Sequence, residues 1–171
     1  MPILSNLTAL EAYVPKAGAR PGLLALDVSK RAIGVAGADT SWRLASPLLT
    51  IRRKSLADDL AALRRLIEER AAGVFVVGLP LNMDGSEGPR CQAVRAFAQS
   101  LDAALGLPIL LFDERLTTFV AKEIAAGRGL GGARKRGTPD LDALAATQIL
   151  QDCLDALARQ TTRGGPRPEA G

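Results

Sequence analysis

PGLLALDVSKRAIGVAGAD, residues Pro21 to Asp39, contains two apolar runs joined by a short charged link. Gly22-Leu-Leu-Ala-Leu ends on a carboxylate, Asp27, and Ser29-Lys30-Arg31 follows almost at once. Ala32-Ile-Gly-Val-Ala then runs on to Asp39. Continuous apolar runs bounded by turn residues read as strands buried on both faces. Two of them across a short polar link predict a hairpin. Asp27 is the odd residue. An ionised aspartate at the end of a central strand is costly unless it is paired, hydrogen-bonded or bound to metal. Capping a turn is the plainer alternative.

Working outward, Arg43 to Arg53 reads as a third strand, and Pro47 favours an edge position. Ser55 is placed as an N-cap, with Leu56, Leu60, Leu63 and Ile67 on one helical face and a stop at Gly73. Val74 to Val77 forms a buried fourth strand, followed by a turn-rich loop from Leu81 to Arg90. The next helix carries Val94, Phe97, Ala98, Leu101 and Leu105 inward and ends near Gly106. Ile109 to Phe112 is the fifth strand, and it runs straight into Asp113-Glu114-Arg115. Thr117 or Thr118 caps a helix reaching Ala126, and residues 127–137 form a basic, glycine-rich loop. A final helix is expected from about Asp140 to Ala158, with Thr138 as its cap and Pro139 in its first turn.

This order predicts one α/β domain over residues 21–159. Its mixed five-stranded sheet combines a three-strand antiparallel meander with parallel strands, and helices flank it. Residues 1–20 form an N-terminal extension with one helical turn after Ser5 or Asn6, and 160–171 a polar tail expected to be disordered.

Composition narrows the chemistry. The chain has 171 residues, 47% of them hydrophobic but only 4% aromatic, so the core is aliphatic. There is no histidine, which removes Ser-His-Asp triads, Cys-His pairs and His-ligated zinc. Any catalysis falls to carboxylates, cations, hydroxyls or oxygen-bound metals. The two cysteines, Cys91 and Cys153, form no CxxC and fall in helical patterns, so buried free thiols are expected. A net charge of +4 permits a polyanionic partner. With no signal-like segment and no apolar run of membrane length, a soluble cytoplasmic protein without membrane contact is expected.

The last helix has an apolar stripe through Ala146, Ile149, Leu150, Cys153, Leu154 and Leu157. Counting back along it reaches Asp142, which should therefore face the sheet. Asp140 falls roughly 200° away at about 100° per residue, and dipole stabilisation at a helix start accounts for it. Asp27, the Asp113-Glu114 pair and Asp142 can then converge at the carboxyl ends of the strands, where open sheets gather ligands. Clustered carboxylates repel unless a cation sits between them, and hard oxygen ligands favour Mg2+ or Mn2+. Such ions can activate water against a phosphodiester, and that chemistry needs no histidine.

LALDVSKRAIGVAGAD, VVGLPLNMDGS, FDERLTT and LDALAATQILQDCLD, in this order, resemble the YqgF family, within the ribonuclease H-like fold. The resemblance covers roughly residues 22 to 158. It implies a metal-dependent nuclease that matures the 5′ end of the pre-16S ribosomal RNA, or alternatively a Holliday junction resolvase cutting four-way DNA. Monomer and homodimer both stay open, a resolvase that cuts two strands symmetrically being expected to be a dimer. It also implies Asp27, an acid of the Asp113-Glu114 pair and Asp142 as active-site acids. Two positions depart from the family pattern, Ser29 in place of glycine and Ala32 in place of arginine.

Alternation puts Asp113 and Glu114 on opposite faces, so one of them reaches the metals; Glu114 is favoured, with Asp113 tying down the following loop. Arg128, Arg134, Lys135 and Arg136 are the main candidates for nucleic-acid contact, a solvated flexible loop being the alternative. Lys30 and Arg31 join them beside Asp27. Arg115 suits a phosphate or an ion pair with a neighbouring acid. Asn82 suits substrate contact, although a plain turn accounts for its glycine-rich surroundings. An ATPase of the sugar-kinase and actin-like arrangement would need a second half of similar size. A non-catalytic binder of structured RNA would be indifferent to magnesium and to loss of Asp27.

Overall fold

Side-chain alternation in the hairpin divides the molecule into two layers. The structure is a computed structural model and describes residues 3–4, 6–12, 20–114 and 140–163. Its elements are β1 (Ile3–Leu4), α1 (Leu7–Glu11), β2 (Gly22–Val28), β3 (Ala32–Ala38), β4 (Ala45–Arg52), α2 (Leu56–Arg70), β5 (Ala72–Leu79), α3 (Pro89–Leu105), β6 (Ile109–Asp113) and α4 (Leu141–Arg163). The strands form one sheet in the order β1-β6-β5-β2-β3-β4. β2, β3 and β4 are the antiparallel meander, and β5, β6 and β1 add on in parallel.

Leu24, Leu26 and Val28 of β2 point into a core shared with Leu63 and Leu66 of α2 and with Val94, Phe97 and Leu101 of α3. Leu23 and Ala25 point the other way, into a core with Ala146, Ile149, Leu150, Cys153 and Leu154 of α4. Both cysteines are buried and free. No helix among the described residues is long and apolar enough to cross a membrane.

The mixed α/β architecture agrees with the sequence expectation, but the strand count does not. The sheet has six strands, because Ile3–Leu4 in the supposed lead-in pairs parallel to Ile109 and Leu110. Asn6 caps the short α1 by accepting from Ala9 N at 2.9 Å, and Ser55 caps α2 through Asp58 N. α2 ends on Ala71, left-handed at φ 49°, and not at Gly73. Gly73 serves another need, since a Cβ there would meet Pro21 Cβ at 2.5 Å. α4 begins at Leu141 and continues to Arg163, so 160–163 extend the helix past the boundary expected for the tail. Thr138, Pro139, the helix expected up to Ala126 and residues 164–171 lie outside the described residues.

Pro47 sits where the β3–β4 register shifts, between Val35 and Ala36 on the partner strand, and β4 is the edge. A proline without an N–H is tolerated there. Beside this edge, Arg53 clamps the meander to both helices of the first layer. Its Nε donates to the buried Asp59 Oδ2 at 2.8 Å, its Nη1 to the Ser29 carbonyl at 2.9 Å, and its guanidinium lies 5.0 Å from the Phe97 ring centre.

Removing one member of such a pair strands a buried charge, which costs about 3–5 kcal/mol. Asp59 is 1% exposed. Arg53→Met is therefore expected to cost about 3 kcal/mol in urea unfolding, and Arg53→Met with Asp59→Leu to recover much of the loss. Equal stability of Arg53→Met and the parent would show that the pair is not a structural clamp.

Candidate active site

Asp27 lies one residue inside the end of β2, in phase with Leu23 and Ala25, so its carboxylate faces the α4 layer. Its neighbours across the sheet are glycines. Gly34 pairs with Asp27 on β3, and Gly78 on β5 follows Val77, the register partner of Leu26. Both vacancies are filled by the two other acids. A Cβ on Gly34 would come within 1.8 Å of the Asp142 carbonyl oxygen and 2.2 Å of its carbon. The first turn of α4 thus rests backbone to backbone on β3. A Cβ on Gly78 would meet Glu114 Oε1 at 2.6 Å and Ile149 Cδ1 at 2.7 Å.

The same alternation separates Glu114 from Asp113. Leu110 and Phe112 belong to the α4 core and Ile109 to the opposite one, so Glu114 shares the face of Asp27 and Asp113 faces the α2 and α3 layer. The structure therefore puts Asp27, Asp142 and Glu114 on one face of the sheet and Asp113 on the other. Among the described residues no three acids or thiols are yet close enough to hold one ion as their side chains are set.

Burial pushes the Asp27 carboxyl up from the usual 3.8 to about 6. The negative charge of Asp142 adds to the rise, and Arg90 opposes it. Arg90 is a residue the sequence reading did not single out. It stands in the first turn of α3 and helps to line a cleft of about 410 Å³ with Asn82 and Glu114. Arg52 of β4 was also missed. Its Nη2 donates to Asp140 Oδ2 at 2.9 Å and its Nη1 lies 4.0 Å from Asp142 Oδ2. Asp140 therefore does not stand apart from Asp142, as the helical phase suggested, because it precedes the helix and both acids meet one guanidinium.

Ser29 closes the hairpin turn with its own hydroxyl, which accepts from Ala32 N at 3.2 Å and donates to Ala32 O at 3.0 Å. Lys30 and Arg31 are exposed at the tip of that turn. Asn82 is exposed, and its Nδ2 donates to Ser86 Oγ at 3.0 Å. Arg115, Arg128, Arg134, Lys135 and Arg136 lie outside the described residues.

The family model described as "RuvX: Holliday junction resolvase" matches residues 22–156. A Rhodospirillum rubrum protein named "Putative pre-16S rRNA nuclease" is 47% identical over 160 residues, covering 94% of this chain and 96% of that one. A Moorella thermoacetica protein of the same name is 47% identical over 137 residues, covering 80% and 96%. The solved structure of Thermus thermophilus RuvC aligns with a TM-score of 0.51 at 10% identity, over 82% of this chain and 96% of that one, a likeness of fold alone.

Two outcomes follow from the geometry. Gly34→Ala places a methyl group into backbone that cannot yield, so α4 must lift and the melting temperature should fall by many degrees. Gly78→Ala meets only the ends of two flexible side chains, so it should fold with a small loss and displace Glu114. Melting curves of the two variants check this, and equal losses would contradict it. The second outcome concerns pH. A carboxyl whose folded pKa is raised stabilises the fold below its unfolded value, and that stability is lost as pH rises through the folded value. The metal-free protein should thus lose stability between about pH 4 and about pH 6 through Asp27. Asp27→Asn should be more stable than the parent at pH 7.5 and nearly equal to it at pH 4.

Proposed function

The chain belongs to the RuvX family, and from that premise we propose that it is a metal-dependent nuclease hydrolysing phosphodiester bonds in the 5′-end maturation of pre-16S ribosomal RNA. The observation that carries this reading is the convergence of Asp27, Asp142 and Glu114 at the two glycines flanking Asp27. A buried carboxyl beside another acid is a poor choice for stability and a good one for holding a cation.

The donor set suits a hard divalent ion. All three acids offer oxygen, the Asp27 carboxyl is raised by burial and by the charge of Asp142, and the chain has no histidine to favour zinc. Mg2+ or Mn2+ would be held by Asp27, Asp142 and Glu114, with Asp113 not sharing their face. When bound, such an ion supplies Lewis acidity toward a phosphoryl oxygen and lowers the pKa of water.

The chain's own residues do the rest. Asp27 is fixed by the central sheet and is half-buried there. Asp142 is fixed by the α4 backbone on Gly34 and steadied by Arg52. Glu114 swings over Gly78 on a longer side chain, which allows it to close on an ion. Lys30 and Arg31 at the hairpin tip, Asn82, and Arg115, Arg128, Arg134, Lys135 and Arg136 are proposed to contact the nucleic-acid backbone. Phosphate contacts of this kind position the strand without reading its sequence. The place of action follows the substrate and is cytoplasmic.

Cleavage of four-way DNA is the second reading, favoured by the description of the matching family. A resolvase must cut two strands symmetrically, and so requires a homodimer on the junction where RNA trimming can use a monomer.

Purified protein should trim precursor RNA in Mg2+ and stop in chelator. Asp27→Asn and Asp142→Asn should each lower cleavage by at least a hundredfold and weaken metal binding in calorimetry. Asp155→Asn, exposed on α4, should cut normally, and Asp140→Asn should have an intermediate effect through Arg52. Undiminished cutting by Asp27→Asn would leave only a binding role. Preference for a four-way junction, with a dimeric mass on it, would move the substrate to DNA.

A further inference from the structure

The cleft beside Glu114 has a lining that the metal chemistry does not require. One wall is the loop after β5, Pro80 to Met83, the other is Gly88, Pro89 and Arg90, and Glu114 closes it at about 410 Å³. The loop is preformed. Asn82 N donates to Ser86 O at 3.0 Å and Gly85 N to Asn82 O at 2.9 Å. Asp84 Oδ1 accepts from Ser86 N at 2.8 Å and from Ser86 Oγ at 2.6 Å. A network of this density around one loop holds Met83 out, 83% exposed, the most exposed of the large apolar side chains among the described residues.

Arg90 differs from its neighbour on the same helix. Arg95 is paired with Glu87, whereas Arg90 has no hydrogen bond or ion pair among the described residues. Its charge is nevertheless felt at Asp27. A guanidinium that lines the cleft with Glu114 and whose charge reaches Asp27 suits a phosphate oxygen, because its fork of donors matches phosphate geometry. A flexible thioether on the opposite wall suits the face of an unstacked base.

We propose that this cleft is a nucleotide subsite, in which Arg90 takes a phosphate of the strand next to the bond being cut and Met83 lies against the adjoining base. The proposal rests on the nuclease reading for which bond is cut, but the binding it describes is measurable without cutting.

The test uses full-length protein carrying Asp27→Asn in Mg2+, with fluorescent single-stranded RNA of mixed sequence read by anisotropy across a salt series. Arg90→Ala is expected to weaken binding about tenfold and to reduce the log–log salt slope by about 0.7, the value for one phosphate contact on a single strand. Arg90→Lys should restore the slope. Met83→Ala should weaken binding several-fold at unchanged slope, because its contact carries no charge, and Met83→Leu should bind as the parent does. On an abasic strand of the same length the Met83→Ala loss should vanish. Both residues are exposed, so melting temperatures should hold.

An unchanged slope in Arg90→Ala, or an equal Met83→Ala loss on the abasic strand, would overturn the subsite. A separate cleavage assay keeps the two readings apart. If Asp27→Asn cuts as well as the parent, the carboxylate assignment fails, while the slope and the abasic comparison still judge the cleft.

Discussion

The rest of the structure depends on one backbone-to-backbone contact, that of the Asp142 carbonyl on Gly34. Any side chain at Gly34 would hold α4 off the sheet by more than an ångström. With none there, the first turn of α4 sits directly above the central hairpin, and the register of the whole helix follows. Ile149 comes over Gly78, and Leu150, Cys153 and Leu154 close the core above Leu23, Ala25 and Val76. Interiors are close-packed, so a fixed point of this kind is transmitted along the element and does not dissipate in loose contacts. The same contact sets the distance between Asp142 and Asp27. Packing and the placement of Asp142 are therefore decided by the same missing methyl group.

The site is electrostatically uneven. Asp142 has Arg52 within 4.0 Å, while Asp27 is buried against a like charge with Arg90 as a more distant relief. That arrangement opposes folding, and the opposing terms lie elsewhere: two apolar layers, the Ser55 cap and the Arg53 clamp. The apolar layers, the cap and the clamp lie away from the acids, whereas the Asp27 carboxyl is raised by burial and by the charge of Asp142.

What was legible in the sequence was what repeats or alternates. The hairpin followed from two apolar runs, the layers from helical stripes, and the opposite facing of Asp113 and Glu114 from strand alternation. The edge position of β4 followed from Pro47. What was not legible had no period. Ile3–Leu4 is too short to alternate, and only its pairing with β6 makes it a strand. Ala71 takes a left-handed conformation that glycine would take more readily, because Gly73 is committed to the approach of Pro21. Arg52 and Arg90 carry no signal in the sequence beyond their places on an edge strand and at the end of a turn-rich loop. Their significance comes from what stands opposite them in space, and a linear sequence does not show that.

The position of α4 in the chain has a consequence for the protein as it is made. Sheet and first layer are complete by Asp113, but the second face stays open until residues 141–163 have been synthesised. Leu23, which emerges early, waits for Leu150 through 127 further residues, roughly 6–25 s at about 5–20 residues per second. During that interval the nascent chain carries an uncovered aliphatic sheet and an Asp27 without Asp142. The acids are brought together only by the last helix to emerge. A ribosome-bound fragment thus exposes that sheet face, and the Asp142 backbone reaches Gly34 only as α4 docks.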